Sequence, residues 1–349
     1  MKKIENIEDY TINKSSSIRD ALAKLNTLAF LTLLIVDDNK KLLGTITDGD
    51  VRRAFLRDVH VGENVTKAMH DKPVWARVSD TPEAIEALMI KKDIMYLPVV
   101  GDDGILISLY SNDSVRLVPP LTNEAVIMCG GLGTRLGPLT KDCPKPMLKV
   151  GNKPILERIL TSLIDAGLRR FYFAINYLGH MIEEHFGNGE KWGVEIEYLC
   201  ENERLGTGGA LSLLPRRPTE PLLVINGDIL TRFNIKNLFD FHNKLKGIVT
   251  MGITAFEYQN PYGVVLFDSN VLIGFEEKPV TTWFINSGIY VIEPELLDFV
   301  PPNTFIDMPS ILTIAQQNQK IVNVCPICEG WLDIGRISDY NLAQAQHDS

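Results

Sequence analysis

The chain has 349 residues, 45% hydrophobic and 23% charged, a balance that suits a soluble globular protein of two domains. A formal net charge of −9 argues against a nucleic-acid partner, whose phosphates would be repelled over most of the surface. The opening MKKIENIEDY has a positive start without a following apolar run, and no stretch approaches the roughly 20 apolar residues of a membrane helix. A cytoplasmic protein without a membrane partner is therefore expected.

The first 120 residues contain a repeat with an offset of 63. Ile18–Leu25 lies over Thr81–Leu88, Leu33–Val36 over Tyr96–Val99, and Thr45–Asp50 over Ser108–Asp113. Each copy reads as helix, strand, tight turn, strand, helix. Ala21, Leu22 and Leu25 form the apolar face of one helix, and Ala84, Ile85 and Leu88 that of the other. The turns, Asp37-Asp-Asn39 and Gly101-Asp-Asp-Gly104, carry hairpin chemistry. Repeats of about 1–60 and 61–119 thus make a first unit, and the proline-bearing stretch ending in residues 120–123 reads as a linker.

A buried strand, Ala125-Val-Ile-Met-Cys129, then opens a second unit over 124–349 and runs into Gly130-Gly-Leu-Gly-Thr-Arg-Leu136. Such a turn offers backbone N–H groups to an anion, with no side chains where phosphate oxygens must approach. It is neither a Walker A motif nor a G-x-G-x-x-G fingerprint. Arg135 and Lys145 sharpen the reading, because fixed cations stabilise charge that builds on a triphosphate under attack. Downstream, Ile155, Ile159, Leu160, Leu163 and Ile164 predict a helix stopped near Gly167, and Phe171–Ile175 a buried strand. Asp228 follows the apolar run Leu222–Ile225, at the carboxyl end of a strand, where sites of α/β folds lie.

Of five cysteines, Cys325 and Cys328 have C-x-x-C spacing. No second pair or close histidine pair completes a zinc site, so a strand edge or loop is expected.

The repeated segment resembles a tandem pair of CBS domains, carried by Thr47-x-x-Asp50 and Val65-Thr-Lys-Ala-Met69. That resemblance implies an adenine nucleotide between the copies, held through Thr47, Asp50 and Asp113, and a pair that modulates activity or assembly. Tyr110 replaces the threonine in the second copy, and an aspartate at a helix start is also an ordinary cap.

Gly130 to Lys145, with Leu205-Gly-Thr-Gly-Gly-Ala210, Ile225-Asn-Gly-Asp228, Pro261-Tyr-Gly263, Glu276-Glu-Lys-Pro279, Asn286-Ser-Gly-Ile-Tyr290 and Trp331-Leu-Asp-Ile-Gly335, resembles the NDP-sugar pyrophosphorylases, or sugar nucleotidyltransferases. The resemblance implies a Rossmann-like, doubly wound α/β domain with a mixed sheet, here preceded by the α+β CBS pair. It further implies that NTP and a sugar 1-phosphate give NDP-sugar and pyrophosphate, with Mg²⁺ as cofactor. Carried over position by position, Arg135 and Lys145 hold the phosphates. Gly130, Gly131, Gly133, Thr134, Glu201, Gly206 and Thr207 bind nucleotide, and Asp228 and Asp333 bind the metal. Gly263, Glu277, Lys278 and Asn286 bind the sugar phosphate. A homo-oligomer is also expected.

Glu201 stands where uridylyl- and thymidylyl-transferring relatives usually carry glutamine. A carboxylate only accepts hydrogen bonds, which suits the adjacent N1–H and amine donors of guanine and favours GTP. A CBS pair ahead of a guanylyltransferase resembles the glucosamine 1-phosphate branch of legionaminic acid biosynthesis. Mannose 1-phosphate, a heptose 1-phosphate or uridylyl transfer to an amino sugar are the alternatives. A non-catalytic nucleotide sensor should have lost charged site residues, yet Arg135, Lys145, Asp228, Lys278 and Asp333 are all present.

Overall fold

A computed structural model describes residues 1–27, 32–55, 57, 59–92, 94–111 and 120–348, and separates the chain into two units, Met1–Leu117 and Val118–Ser349. In the first unit the repeat builds the same hairpin twice. Thr32–Val36 pairs antiparallel with Leu42–Thr47 and parallel with Thr11–Asn13. Tyr96–Val100 pairs antiparallel with Leu106–Ser111 and parallel with Ala76–Arg77. Both hairpins carry a register irregularity just before the turn, at Ile35/Val36 and Val99/Val100, one residue apart in the repeat. Their turns interlock: the Leu42 N–H donates to the Gly104 carbonyl at 3.1 Å, and the Leu106 N–H to the Lys40 carbonyl at 3.0 Å.

Helix Ile18–Thr27 buries Ile18, Ala21 and Leu25. Its counterpart Pro82–Lys92 buries Ile85 and Met89, while Ala84 is exposed. The buried pair is spaced i, i+4, so the inward stripe is turned from the expected Ala84 side toward the longer methionine. The closing helix of the second copy falls outside the described residues.

Leu121 and Asn123 are tied into the second unit. The Leu121 N–H donates to the Gly167 carbonyl at 2.8 Å, and Asn123 Nδ2 to the Pro221 carbonyl at 2.7 Å. The apolar run that follows forms β1 (Glu124–Met128), buried on both faces. Ala125 and Ile127 enter one core and Val126 the other, as expected for a central strand covered on both sides. Then come α1 (Ile155–Asp165), β2 (Arg170–Ile175), α2 (Gly179–Phe186), β3 (Glu195–Cys200), β4 (Leu222–Asn226), β5 (Ile229–Thr231) and α3 (Ile235–Leu245). The chain continues through β6 (Val249–Gln259), β7 (Val264–Asp268), β8 (Val271–Glu276), β9 (Val280–Ile292), α4 (Met308–Gln317), β10 (Val322–Ile327), β11 (Trp331–Asp333) and α5 (Ile337–Asp348).

Seven strands form one mixed sheet in the order β3-β2-β1-β4-β9-β6-β10, in which β9 runs antiparallel to both neighbours. The predicted helix is α1, stopped at Gly167, whose φ of 105° a side chain would strain. Cys325 is buried in edge strand β10 and Cys328 lies just beyond it. No helix among the described residues is long and apolar enough to cross a membrane.

Beyond the sheet, β6 and β9 continue as a two-stranded ribbon that carries the hairpin β7–β8. The register puts Val265 opposite Phe275 and Phe267 opposite Leu272 on one hairpin face. These side chains are exposed, Phe267 by 68% and Phe275 by 70%.

Candidate functional site

The site begins where β1 ends. The Cys129 N–H donates to the Ala174 carbonyl at 2.8 Å, and the chain then leaves the sheet through Gly130–Gly133. Among the described residues, the amides of 130–133 donate to no other main-chain carbonyl. Gly133 has a φ of 64°, and a β-carbon there would lie 2.8 Å from Thr140 Cγ2 and 3.1 Å from Lys145 Cβ. Glycine is thus required at the point where the loop turns back over Lys145. Gly131 faces open space, and Thr134 and Arg135 are exposed.

Asp228 and Asp333 come together because β5 and β11 pair antiparallel, with Ile229 opposite Asp333. The Ile334 N–H closes the junction by donating to the Asp228 carbonyl at 3.1 Å. Lys145, almost fully buried, places its ammonium on Asp228 Oδ2, with Asp333 Oδ1 3.8 Å away. A β-carbon at Gly335 would lie 3.4 Å from both Arg135 Nη1 and Asp333 Oδ1, so the guanidinium shares this corner. Burial, then the Asp228 charge, pushes the Asp333 carboxyl above the usual range, and Lys145 and Arg135 oppose the shift.

Asp228 Oδ1 and Asp333 Oδ1 are buried and have no hydrogen-bond partner. Two neighbouring orphaned carboxylate oxygens fit a hard divalent cation such as Mg²⁺. Among the described residues no group of three or more His, Cys, Asp or Glu could hold a metal, so the remaining donors would be phosphate oxygens and water.

Glu201 backs onto the start of the glycine loop. A β-carbon at Gly130 would lie 2.6 Å from its Oε1, while Oε2 accepts the Leu205 N–H at 2.9 Å. Asn176 Nδ2 donates to the Glu201 carbonyl at 2.9 Å and fixes the strand end. Burial raises the carboxyl's pKa, and the Leu205 amide and Arg204 pull it down. Cys129 lies between the two acidic groups. Burial pushes its thiol up, the Asp228 and Glu201 charges add to the effect, and it stays protonated.

Gly206 and Thr207 serve a packing contact. Gly206, at φ 77°, leaves room for Ile306 and Asp307; the Thr207 N–H donates to Asp307 Oδ1 at 3.3 Å, and the Thr207 hydroxyl accepts from the Met308 N–H at 3.1 Å. The second of these bonds satisfies the first N–H of α4. Asn286 Oδ1 accepts the Gly288 N–H at 3.0 Å, and its Nδ2 donates to the Tyr290 hydroxyl at 2.6 Å. Trp331 Nε1 donates to the adjacent Ser287 carbonyl at 2.9 Å, which brings this strand beside β11. Glu277, Lys278 and Gly263 sit together at the base of the β7–β8 hairpin. Lys278 Nζ lies 3.9 Å from Glu277 Oε1, and a β-carbon at Gly263 would lie 3.1 Å from Glu277 Oε2. Among the described residues no ion pair links them to the Asp228–Asp333 corner.

Sequence reasoning passed over Asn226 and Asn176. Asn226 Oδ1 is buried without a partner, and its Nδ2 would lie 2.6 Å from a β-carbon at Gly288. The signal was its place at the same strand end as Asp228. In the first unit, Asp50 Oδ2 accepts from the Thr47 hydroxyl at 2.7 Å and its N–H at 2.9 Å, and Arg53 holds Oδ1 at 2.6 Å. Asp113 lies outside the described residues.

The nucleotidyl transferase family profile matches residues 124–349, and the CBS domain profile matches 3–57 and 61–114. The mannose-1-phosphate guanylyltransferase catalytic subunit beta of Drosophila melanogaster is 37% identical over 225 residues, 62% of this chain and 60% of that one. The mannose-1-phosphate guanyltransferase of Saccharomyces cerevisiae is 32% identical over 228 residues, 62% of each chain. The chain therefore spans about three-fifths of the length of these curated relatives. Among solved structures, HddC from Yersinia pseudotuberculosis, also solved in complex with GMP-PN, matches with a TM-score of 0.51 and 26% identity, covering 64% of this chain and 99% of HddC.

A β-carbon at Gly227 would lie 2.8 Å from the Met128 carbonyl and 3.0 Å from Cys129 Sγ, with main chain on the crowded side. Gly227→Ala is expected to lower the unfolding free energy of this unit by about 1–3 kcal/mol, read from the urea midpoint. An unchanged midpoint would show that the turn relaxes around the methyl.

Proposed function

Residues 124–349 make this chain a member of the nucleotidyl transferase family, and from that premise we propose that it joins an NTP, GTP by preference, to a sugar 1-phosphate and releases pyrophosphate. One observation carries the reading: the Asp228–Asp333 pair and Lys145 meet beside a glycine loop that touches Glu201 on its other side.

The loop amides, Arg135 and Lys145 would receive the triphosphate and hold charge on the departing pyrophosphate. Asp228 and Asp333 would hold Mg²⁺, which supplies charge neutralisation between two mutually repelling phosphates. A phosphate monoester is already ionised at neutral pH, so no protein nucleophile is needed, in keeping with the protonated Cys129. What remains for the chain is alignment for in-line attack and the exclusion of misoriented substrate. Lys278 and Glu277 would take the sugar phosphate and a sugar hydroxyl.

For the sugar, the names of the relatives favour mannose 1-phosphate. Glucosamine 1-phosphate is the second reading, because the exposed Glu277 carboxylate suits a protonated 2-amino group. A panel of NTPs against these sugar phosphates, read by product mass and pyrophosphate release, should select GTP. Asp228→Ala should reduce turnover by about 100-fold or more, the scale of losing one preorganised electrostatic group. Equal turnover by both proteins would refute the assignment. Glu201→Gln should lower kcat/KM for GTP relative to UTP by about 10- to 100-fold, equivalent to one base contact of about 1–3 kcal/mol. An unchanged ratio would place base recognition elsewhere.

The apolar hairpin face bears on assembly. Thirteen large hydrophobic side chains between Phe256 and Phe284 are exposed. Alternation puts about half of them on either face, so at about 100 Å² each one face offers about 650 Å², close to the roughly 800 Å² per partner of a stable interface. A second copy presents the same face, and a lone two-stranded ribbon is only marginally stable. The wild type should therefore sediment as a homodimer or larger assembly. Phe267→Glu with Phe275→Glu should shift it toward monomer, and identical sedimentation of the two proteins would place any contact elsewhere.

A further inference from the structure

Lys145 stands on the oxygen that a metal would need. Its side chain is 9% exposed and its ammonium is bonded to Asp228 Oδ2, 3.8 Å from Asp333 Oδ1. The short helical turn Lys145–Met147 fixes its backbone, with the Leu148 N–H donating to the Lys145 carbonyl at 3.1 Å. The other oxygen of Asp228 has no partner.

We propose that Lys145 competes with the divalent ion for the Asp228–Asp333 pair, so that the metal and the triphosphate enter as a coupled pair. The inference rests on the metal reading above. The two carboxylates face two cations, Lys145 and Arg135, so the corner is already close to charge balance. A divalent ion added to it must displace the ammonium from Asp228, which is unfavourable. A triphosphate changes the balance by offering the ammonium a new anionic partner. As the lysine turns to the phosphates, Asp228 is freed, and the carboxylates now face a polyanion. The ion relieves both. Coupling between two ligands is reciprocal, so the metal in turn strengthens triphosphate binding by the same factor.

The test is Mn²⁺ binding to the nucleotide-free full chain, followed by the electron paramagnetic resonance signal of free Mn²⁺. Lys145→Gln should bind Mn²⁺ at least about tenfold more tightly than the wild type, within the usual range of coupling factors. Lys145→Arg, which keeps the cation, should stay as weak as the wild type. Equal or weaker binding by Lys145→Gln would overturn the proposal. Adding Asp228→Asn to Lys145→Gln should abolish the gain. A gain that survives this change would mean that the metal reading itself is wrong. A second measurement uses the wild type alone: saturating Mn²⁺ should raise acetylation of Lys145 by limiting acetic anhydride, read by peptide mass. Unchanged labelling would overturn the proposal even if the variants fail to fold.

Discussion

Two carboxylates held against one buried ammonium govern the architecture of the second unit. Like charges at this distance are tolerated only with compensation, and the chain supplies it from three directions. Lys145 comes from the turn after the glycine loop, Arg135 from the loop itself, and the β5–β11 pairing holds the acids in register. Trp331 and Ile334 brace that pairing through bonds to the Ser287 and Asp228 carbonyls. The raised pKa of Asp333 reflects the same crowding, with burial as its first cause.

The close approach of these parts explains several glycines. Gly133 admits Lys145 beneath the loop, Gly227 lets β4 turn against Met128, and Gly130 leaves room for the Glu201 carboxylate. A side chain at Gly130 or Gly133 would press on Glu201 or on Thr140 and Lys145, and one at Gly227 on the Met128 carbonyl and the Cys129 thiol. Glu201, the glycine loop, Lys145, Asp228 and Asp333 therefore share one packed junction, built from the carboxyl ends of β1, β3 and β4 with the end of β11. Ligand sites in open α/β sheets gather there because strand ends release the chain into loops while the sheet holds those loops fixed.

Much of this was legible in the sequence. The strand into Gly130–Gly133, the helix ending near Gly167 and Asp228 after an apolar run each carry a local signature, and each lies where its periodicity placed it. The bond between Lys145 and Asp228 joins residues 83 positions apart and left no local trace. Gly206 and Thr207 are nucleotide-binding positions by resemblance, and the bonds of Thr207 to Asp307 and Met308 are a partnership that only tertiary packing creates. Thr47 and Asp50 carry two readings, a helix cap and a nucleotide contact, and the reciprocal bonds between them are those of a cap, with Arg53 paired to the same carboxylate. The ribbon beyond the sheet has no element assigned to it from the sequence, and alternation alone cannot tell which apolar face remains uncovered.

Crystals of the full chain grown with a non-hydrolysable GTP analogue and Mn²⁺ would show the metal directly by anomalous scattering. The account predicts a single strong peak about 2.0–2.6 Å from carboxylate oxygens of both Asp228 and Asp333. A peak that contacts neither aspartate, with the analogue bound in the 130–136 loop, would contradict it.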